Sequence, residues 1–179
     1  MDVTAHMIAT GPIESVTMDS VAAAAGVSRA LVYKHFANRH ELLASVYERE
    51  SALLHKELSL AVGNCRSLQD MFHALVEGAL AAQAERSATF AALTSQGGRP
   101  AGQRNVQRQR DAQTVRYFTQ QAVRELGIEP SAATNGVRIA LGALSVVLDQ
   151  WRRQPTSEHA KELADAYVTM AMGGLRALR

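Results

Sequence analysis

The sequence predicts an all-α chain of two parts. An amino-terminal three-helix helix-turn-helix domain covers residues 1–46, and a carboxy-terminal helical bundle covers 47–179. Three observations carry this. Composition is 47% apolar but only 5% aromatic, with four prolines, so Ala and Leu dominate over the β-branched and aromatic residues of sheets. Apolar residues recur at three- and four-residue steps through most of the chain. The segment Thr17 to Leu43 holds two short capped helices around a single glycine.

The elements follow in order. Gly11-Pro12 ends a first helix, roughly Val3 to Thr10. Thr17 caps the next, because its hydroxyl can take an unpaired amide of the first turn. Met18, Val21, Ala22 and Ala25 repeat at helical spacing, and Gly26 stops them where a left-handed residue costs least. Val27 is expected to bury between the helices. Ser28 is a second N-cap, followed by Ala30, Leu31, Val32 and Tyr33. In this layout the second helix enters the DNA major groove. A long helix from Asn38 or Arg39 carries Leu42, Leu43, Val46, Tyr47, Leu53, Leu54 and Leu58 and fades near Gly63-Asn64. Ser67 caps a helix with the stripe Leu68, Met71, Phe72, Leu75, Val76, Ala79 and Leu80. Phe90 and Leu93 mark another helical piece, and Ser95 to Gly102 reads as a loop.

Gln103 to Leu126 is polar first and amphipathic later, stopped by Gly127. Ser131 opens a helix with Val137, Leu141, Leu144, Leu148 and Trp151 on one face. After Pro155, Thr156 or Ser157 caps a last helix striped by Leu163, Ala164, Tyr167, Met170, Ala171, Gly174 and Leu175.

Bulk properties exclude several classes. The net charge of +2 is too mild to argue for nucleic acid by itself. Cys65 is the only cysteine, so neither an intrachain disulfide nor a Cys-based zinc site is available. A sensor thiol and an inert one both remain open. The amino terminus lacks the basic start and apolar core of a signal peptide. The apolar run Ile139 to Leu148 falls short of the about 20 residues that cross a bilayer. A cytoplasmic protein with no membrane partner is expected. No Gly-rich phosphate loop, H-E-x-x-H or G-x-S-x-G occurs, and the six histidines are scattered. No catalytic residue, metal site or cofactor is expected, and the chain reads as no enzyme.

The charges of residues 1–40 are segregated along the chain. Arg29, Lys34 and Arg39 lie on or just after the second helix of the motif, whereas Asp2, Glu14 and Asp19 precede it. Cations belong where the DNA backbone passes. Arg29 can reach a guanine edge or a phosphate, and Ala30 and Leu31 can meet a thymine methyl. Ser28 and Thr17 are caps that can also touch phosphate. Val32 and Phe36 fit the core.

The string A-G-V-S-R-A-L-V-Y-K-H-F, Ala25 to Phe36, with N-R-H-E-L-L, Asn38 to Leu43, resembles the signature of the tetracycline-repressor (TetR) family of transcriptional regulators. The motif spans about the first quarter of the chain; the remainder fits by helical pattern and length. The resemblance implies phosphate and groove contacts for Tyr33, Lys34 and His35, and backbone contacts for Thr17 and Arg39. It departs at the amino terminus. Family members commonly have a longer first helix after a basic arm, and here no Lys or Arg precedes Arg29. A missing arm, a late start and weaker DNA binding all remain open.

The resemblance further implies a carboxy-terminal pocket for an unknown small-molecule effector, and a homodimer that binds a palindromic double-stranded DNA operator until the effector releases it. Polar residues on apolar helices are the pocket candidates: His73, Glu77, Tyr117, Gln121, Asn135 and Arg138, with Asp149 and Trp151 beside them. Each also fits an ordinary surface or interface position. The dimer would use Leu141, Leu144, Leu148, Trp151, Leu163, Tyr167, Met170 and Leu175, although the same stripes fit an intrachain bundle. Arg104, Arg108 and Arg110 are expected on a solvated face. Repressor is favoured over activator of the same fold, and a helical protein-interaction module is the rival reading.

Overall fold

Helix boundaries lie where local chemistry places them. A computed structural model of the chain describes residues 2–95 and 103–179, without the side chains of 87–92, 94, 95 and 103–108. Most of the predicted Ser95–Gly102 loop, and the side chains of Phe90, Arg104 and Arg108, lie outside the described residues. Among the described residues there are eight α-helices and no strand: α1 Asp2–Thr10, α2 Met18–Ala25, α3 Arg29–His35, α4 Arg39–Gly63, α5 Leu68–Ser95, α6 Gln103–Leu126, α7 Pro130–Arg153 and α8 Ser157–Arg176, with a 3-10 turn at Ile13–Ser15. The chain forms two compact units. One comprises Met1–Leu54 with Glu85–Arg104, the other His55–Ala84 with Asn105–Arg179.

The first unit is built on α1 to α3 and the start of α4. Its core holds Ile8, Ile13, Val16, Met18, Val21, Ala22, Val32, Leu42, Leu43, Val46 and Leu93, with Phe36 and Tyr47 packed partly against it. Gly26 ends α2 at φ +66°, which an L side chain reaches only at a cost of about 1–2 kcal/mol. Its turn is closed by the Val27 amide, which donates to the Ala22 carbonyl at 3.0 Å. Val27 departs from the sequence expectation: it is 38% exposed. Val21, Ala22 and Val32 already fill the angle between the helices, and Ala25 is likewise exposed.

The second unit has an aromatic centre. The rings of Phe72 and Phe118 lie 4.9 Å apart, and Tyr167 meets Phe72 edge-on at 6.0 Å. The separate helical piece expected at Phe90 and Leu93 is the continuation of α5. The Ala-rich stretch after Leu80 contains no proline or glycine to stop it. Ser67 caps α5 through the Asp70 amide at 3.0 Å. Glu125 of α6 takes the Leu68 amide as well, at 2.9 and 3.0 Å. The cap of α7 is Glu129, not Ser131, with Pro130 in the first turn. Its carboxylate accepts the Ser131 hydroxyl and the Ser131 and Ala132 amides, which hold it below its ordinary pKa. Thr156 caps α8.

Helices α7 and α8 form an antiparallel pair. The Trp151 indole N–H reaches back to the Thr156 carbonyl at 3.2 Å. Gly136, near the start of α7, lies so close to the end of α8 that a β-carbon there would stand 2.7 Å from Leu175. By length and composition α7 could cross a membrane, unlike its core apolar run, and 22% of its apolar window is buried within the chain. Arg110, expected on a solvated face, is half-buried. It stands near His55, whose imidazole pKa is lowered by burial first and by Arg110 second, with Asp111 opposing.

Two buried hydroxyls of the second unit, those of Thr119 and Tyr167, have no hydrogen-bond partner among the described residues. Tyr167 is 4% exposed and its hydroxyl has no hydrogen-bond partner. Burial pushes its pKa well above the ordinary phenol value. An unpaired buried hydroxyl costs about 1–3 kcal/mol. Tyr167→Phe should therefore raise Tm by roughly 2–4 °C, the shift that about 1 kcal/mol gives a chain of this size. A clear fall in Tm in a melting experiment would show that the hydroxyl is bonded.

Candidate nucleic-acid interface

Every residue of α3 except Val32 is exposed; Val32 is the peg that seats the helix on the core. Ser28 opens α3 by accepting the Leu31 amide at 3.2 Å. The helix thus presents Arg29, Ala30, Leu31, Tyr33, Lys34 and His35 to solvent, with Leu31 42% and Tyr33 53% exposed. Leaving a leucine and a tyrosine so open on seven residues has a cost in water. The same surface suits base edges and thymine methyls.

The charges segregated along the sequence are not segregated in space. Asp19 of α2 pairs with Arg29, Nε to Oδ1 at 2.9 Å, with both side chains exposed. Asp2 pairs with Arg49 of α4. Among the described residues no partner is recorded for Lys34, and it stands exposed at the end of α3.

Arg39 has a different role from the one its sequence position suggests. Its Nε donates to the Val16 carbonyl at 2.7 Å and its Nη2 to the Ile13 carbonyl at 2.6 Å. The fork clamps the 3-10 turn, and with it the entry to α2, onto the start of α4. Thr17 completes that entry. Its hydroxyl accepts the Ser20 amide at 3.0 Å, and the Ser20 hydroxyl accepts the Thr17 amide at 2.8 Å. This is a capping box with serine in place of the usual Glu or Gln. Asn38 and Glu41 cap α4 reciprocally: Asn38 accepts the Glu41 amide at 2.9 Å, and Glu41 accepts the Ala37 amide at 2.7 Å.

These caps enclose a cleft of about 300 Å³ lined by Thr17, Met18, Asp19, Tyr33, Ala37, Asn38 and Arg39. It gathers three of the sequence-predicted DNA residues, Thr17, Tyr33 and Arg39, at one edge of α3. Asp19 and Asn38 also line it, and charge and motif reasoning did not select them.

The amino-terminal residues match a family model. Residues 1–46 match the model of bacterial regulatory proteins of the tetR family. The amino-terminal domain belongs to the TetR family. Solved structures share the fold over nearly the whole chain. A protein from Pseudomonas aeruginosa PAO1 assigned as a transcriptional regulator is 16% identical, with a TM-score of 0.72, over 99% of this chain and 91% of that one. A TetR-like transcriptional regulator from Rhodococcus sp. RHA1 is 20% identical, with a TM-score of 0.66, over 97% and 92%. FadR from Bacillus subtilis, solved with stearoyl-CoA, is 11% identical, with a TM-score of 0.66, over 97% and 96%. No curated protein sequence matches significantly. TetR-family proteins are regulators that bind DNA and not enzymes, and the fold is TetR-like in both its parts.

The other predicted site residues scatter. Of the effector candidates, Glu77, Tyr117, Asn135 and Arg138 are exposed. Gln121 is half-buried and bonds to Glu125 and Arg124 along its own helix. His73 is half-buried. Asp149 is exposed and pairs with Arg152. Polarity on an apolar helix therefore marked mostly outward faces.

The predicted dimer residues mostly pack within the single chain. Trp151, Tyr167 and Leu175 are buried within the single chain, and Leu141, Leu144, Leu148 and Leu163 pack on the same core. Only Met170 of that set is open, at 76%. The uncovered apolar residues of this helix pair are Ile139 at 75%, Val146 at 57% and Met170, besides Leu178 at the end of the chain. The richest stripe of each helix serves the fold, which leaves a sparser second face.

Arg39→Ala should remove two charge-assisted bonds, taking the guanidinium donor from the Val16 carbonyl while the Ile13 carbonyl keeps the Val16 amide, a loss of about 2 kcal/mol and roughly 4–8 °C in Tm. Arg39→Lys should recover less than half, because an ammonium cannot reproduce the fork. Equal melting of Arg39→Lys and the parent would show that charge alone suffices.

Proposed function

We propose that the chain is a cytoplasmic, homodimeric transcriptional repressor that binds a near-palindromic operator through paired α3 helices. Residues 1–46 are assigned to DNA binding and 47–179 to sensing and dimerisation. The observation that carries this is the exposed α3, with Val32 anchored and six neighbouring side chains open. Tyr33 and Lys34 are assigned to groove and phosphate, with Ala30, Leu31 and His35 beside them. Thr17 and Ser28 contribute as caps whose surroundings reach the backbone, and Arg39 acts chiefly by fixing the entry to α2.

The homodimer is assigned to the second face of α7 and α8. Ile139, Gly142, Ala143 and Val146 follow one another at three- and four-residue steps, as do Met170, Gly173 and Gly174 on α8. A β-carbon at Gly142, Gly173 or Gly174 would meet nothing within 4 Å. Open glycines beside protruding Ile, Val and Met leave room for the side chains of a second copy. Each large apolar side chain covered is worth about 1.5–3 kcal/mol. The low burial of an apolar α7 also supports a protein partner on this face.

The effector is assigned to the interior of the second unit as a small, largely apolar molecule carrying one hydrogen-bonding group. The Tyr167 hydroxyl beside Phe72 supports that chemistry, and the acyl chain of the stearoyl-CoA solved with FadR from Bacillus subtilis is apolar in the same way. Effector binding would favour a dimer geometry that fits the operator less well.

Selection of random duplex DNA by the purified protein should enrich an inverted repeat. Lys34→Ala should weaken binding to it about tenfold at moderate salt, with an unchanged circular dichroism spectrum. A folded parent that enriches no sequence defeats the proposal. Ile139→Glu combined with Met170→Glu should convert the protein to a helical monomer by light scattering. A dimer that persists in this variant would place the interface elsewhere.

A further inference from the structure

We infer that Asp19 is a positioning residue that aims Arg29 at a guanine in each operator half-site. This rests on the reading of α3 as a recognition helix. The two residues come from different helices on either side of the Gly26 turn: Asp19 lies in the first turn of α2, and Arg29 is the first residue of α3. The Arg29 Nε–H donates to the Asp19 carboxylate at 2.9 Å. No other partner of this guanidinium is recorded among the described residues.

The identity of the bonded nitrogen sets the consequence. A guanidinium presents five N–H groups in a fixed plane. With Nε engaged from behind, the terminal Nη pair is left at the leading end. Two parallel N–H groups fit guanine O6 and N7, the commonest specific arginine contact with DNA. A free arginine at this place would instead find the nearest phosphate, where contact carries no sequence information. Asp19 acts against that outcome in two ways. It restrains a long flexible side chain, and its charge cancels most of the cation's pull toward phosphate. What remains at Arg29 recognises by hydrogen-bond geometry more than by charge.

Asp19 thus trades affinity for selectivity, and that trade separates positioning from ordinary support of the fold. A stabilising role alone would weaken all DNA sequences together. A positioning role predicts opposite changes for guanine-bearing and unrelated DNA.

The test measures binding of the parent, Arg29→Ala, Asp19→Ala and Asp19→Asn to the selected inverted repeat, to the repeat with each guanine replaced, and to unrelated duplex across a salt series. The parent should prefer one guanine per half-site by roughly tenfold, and Arg29→Ala should lose that preference. Asp19→Ala should lose most of it while binding unrelated duplex more tightly, with a log–log salt slope steeper by about 0.9 per subunit. Asp19→Asn keeps an acceptor for Nε–H but not the charge, so it should keep more of the preference than Asp19→Ala while showing the same steeper slope. A guanine preference retained in Asp19→Ala, or a uniform loss with an unchanged slope, overturns the inference and leaves the recognition-helix reading intact. A parent that selects no sequence overturns that reading itself.

Discussion

The Arg39 fork is the constraint on which the head of this molecule depends. A helix-turn-helix needs its two helices at a fixed angle on a common support, and here neither helix exceeds eight residues. Helices so short are not stable alone. Their geometry is imposed by contacts outside them. Val32 and Val21 hold them from below. The guanidinium fixes α2 at its entry by gathering the Ile13 and Val16 carbonyls onto the start of α4. The Thr17–Ser20 box and the Asn38–Glu41 cap each settle one adjoining helix end. The exposed surface of α3 is therefore the end product of bonds made mostly behind it.

Much of that arrangement was legible in the sequence. Gly26 announced the left-handed turn because few other residues tolerate it, and Thr17 and Ser28 announced the starts of α2 and α3 because an N-cap is a local event. The role of Arg39 was not legible, since its carbonyl partners lie 23 and 26 residues away. The Asp19–Arg29 pair was hidden for the same reason: counted along the chain, the acid and the base fall into separate halves. The Glu125 cap on α5 spans 57 residues. Bonds within one turn can be read from spacing; bonds that depend on the tertiary fold cannot.

The helix pair α7–α8 shows the limit of periodicity in another way. A stripe of apolar residues says that a face is covered, not by what. Leu144, Leu148, Trp151, Tyr167 and Leu175 form the strongest stripes, and the chain's own core claims them. Such a core has to exist before any second copy can dock. The weaker face of Ile139, Val146 and Met170 is what the fold leaves uncovered. It escapes a search for the dominant stripe because glycine and alanine interrupt it. For an oligomerising helix the second-ranked face is the informative one.

Electrostatics separates grip from recognition on the same small surface. Phosphate contact rewards any free cation and is indifferent to sequence. Lys34, exposed at the far end of α3, takes that role in the proposed reading. Arg29, at the near end, is held by a carboxylate that nearly cancels it. A surface ion pair of this kind adds little to stability, because water screens it and two side chains lose freedom. Its worth must be sought where water leaves. A desolvated groove strengthens the pair and leaves the outer N–H groups needing acceptors that only a suitably placed base edge or phosphate can supply. An amino-terminal domain with three basic and four acidic side chains over residues 1–46 is then compatible with the proposed DNA recognition: one acid holds one arginine in place instead of leaving it to phosphate.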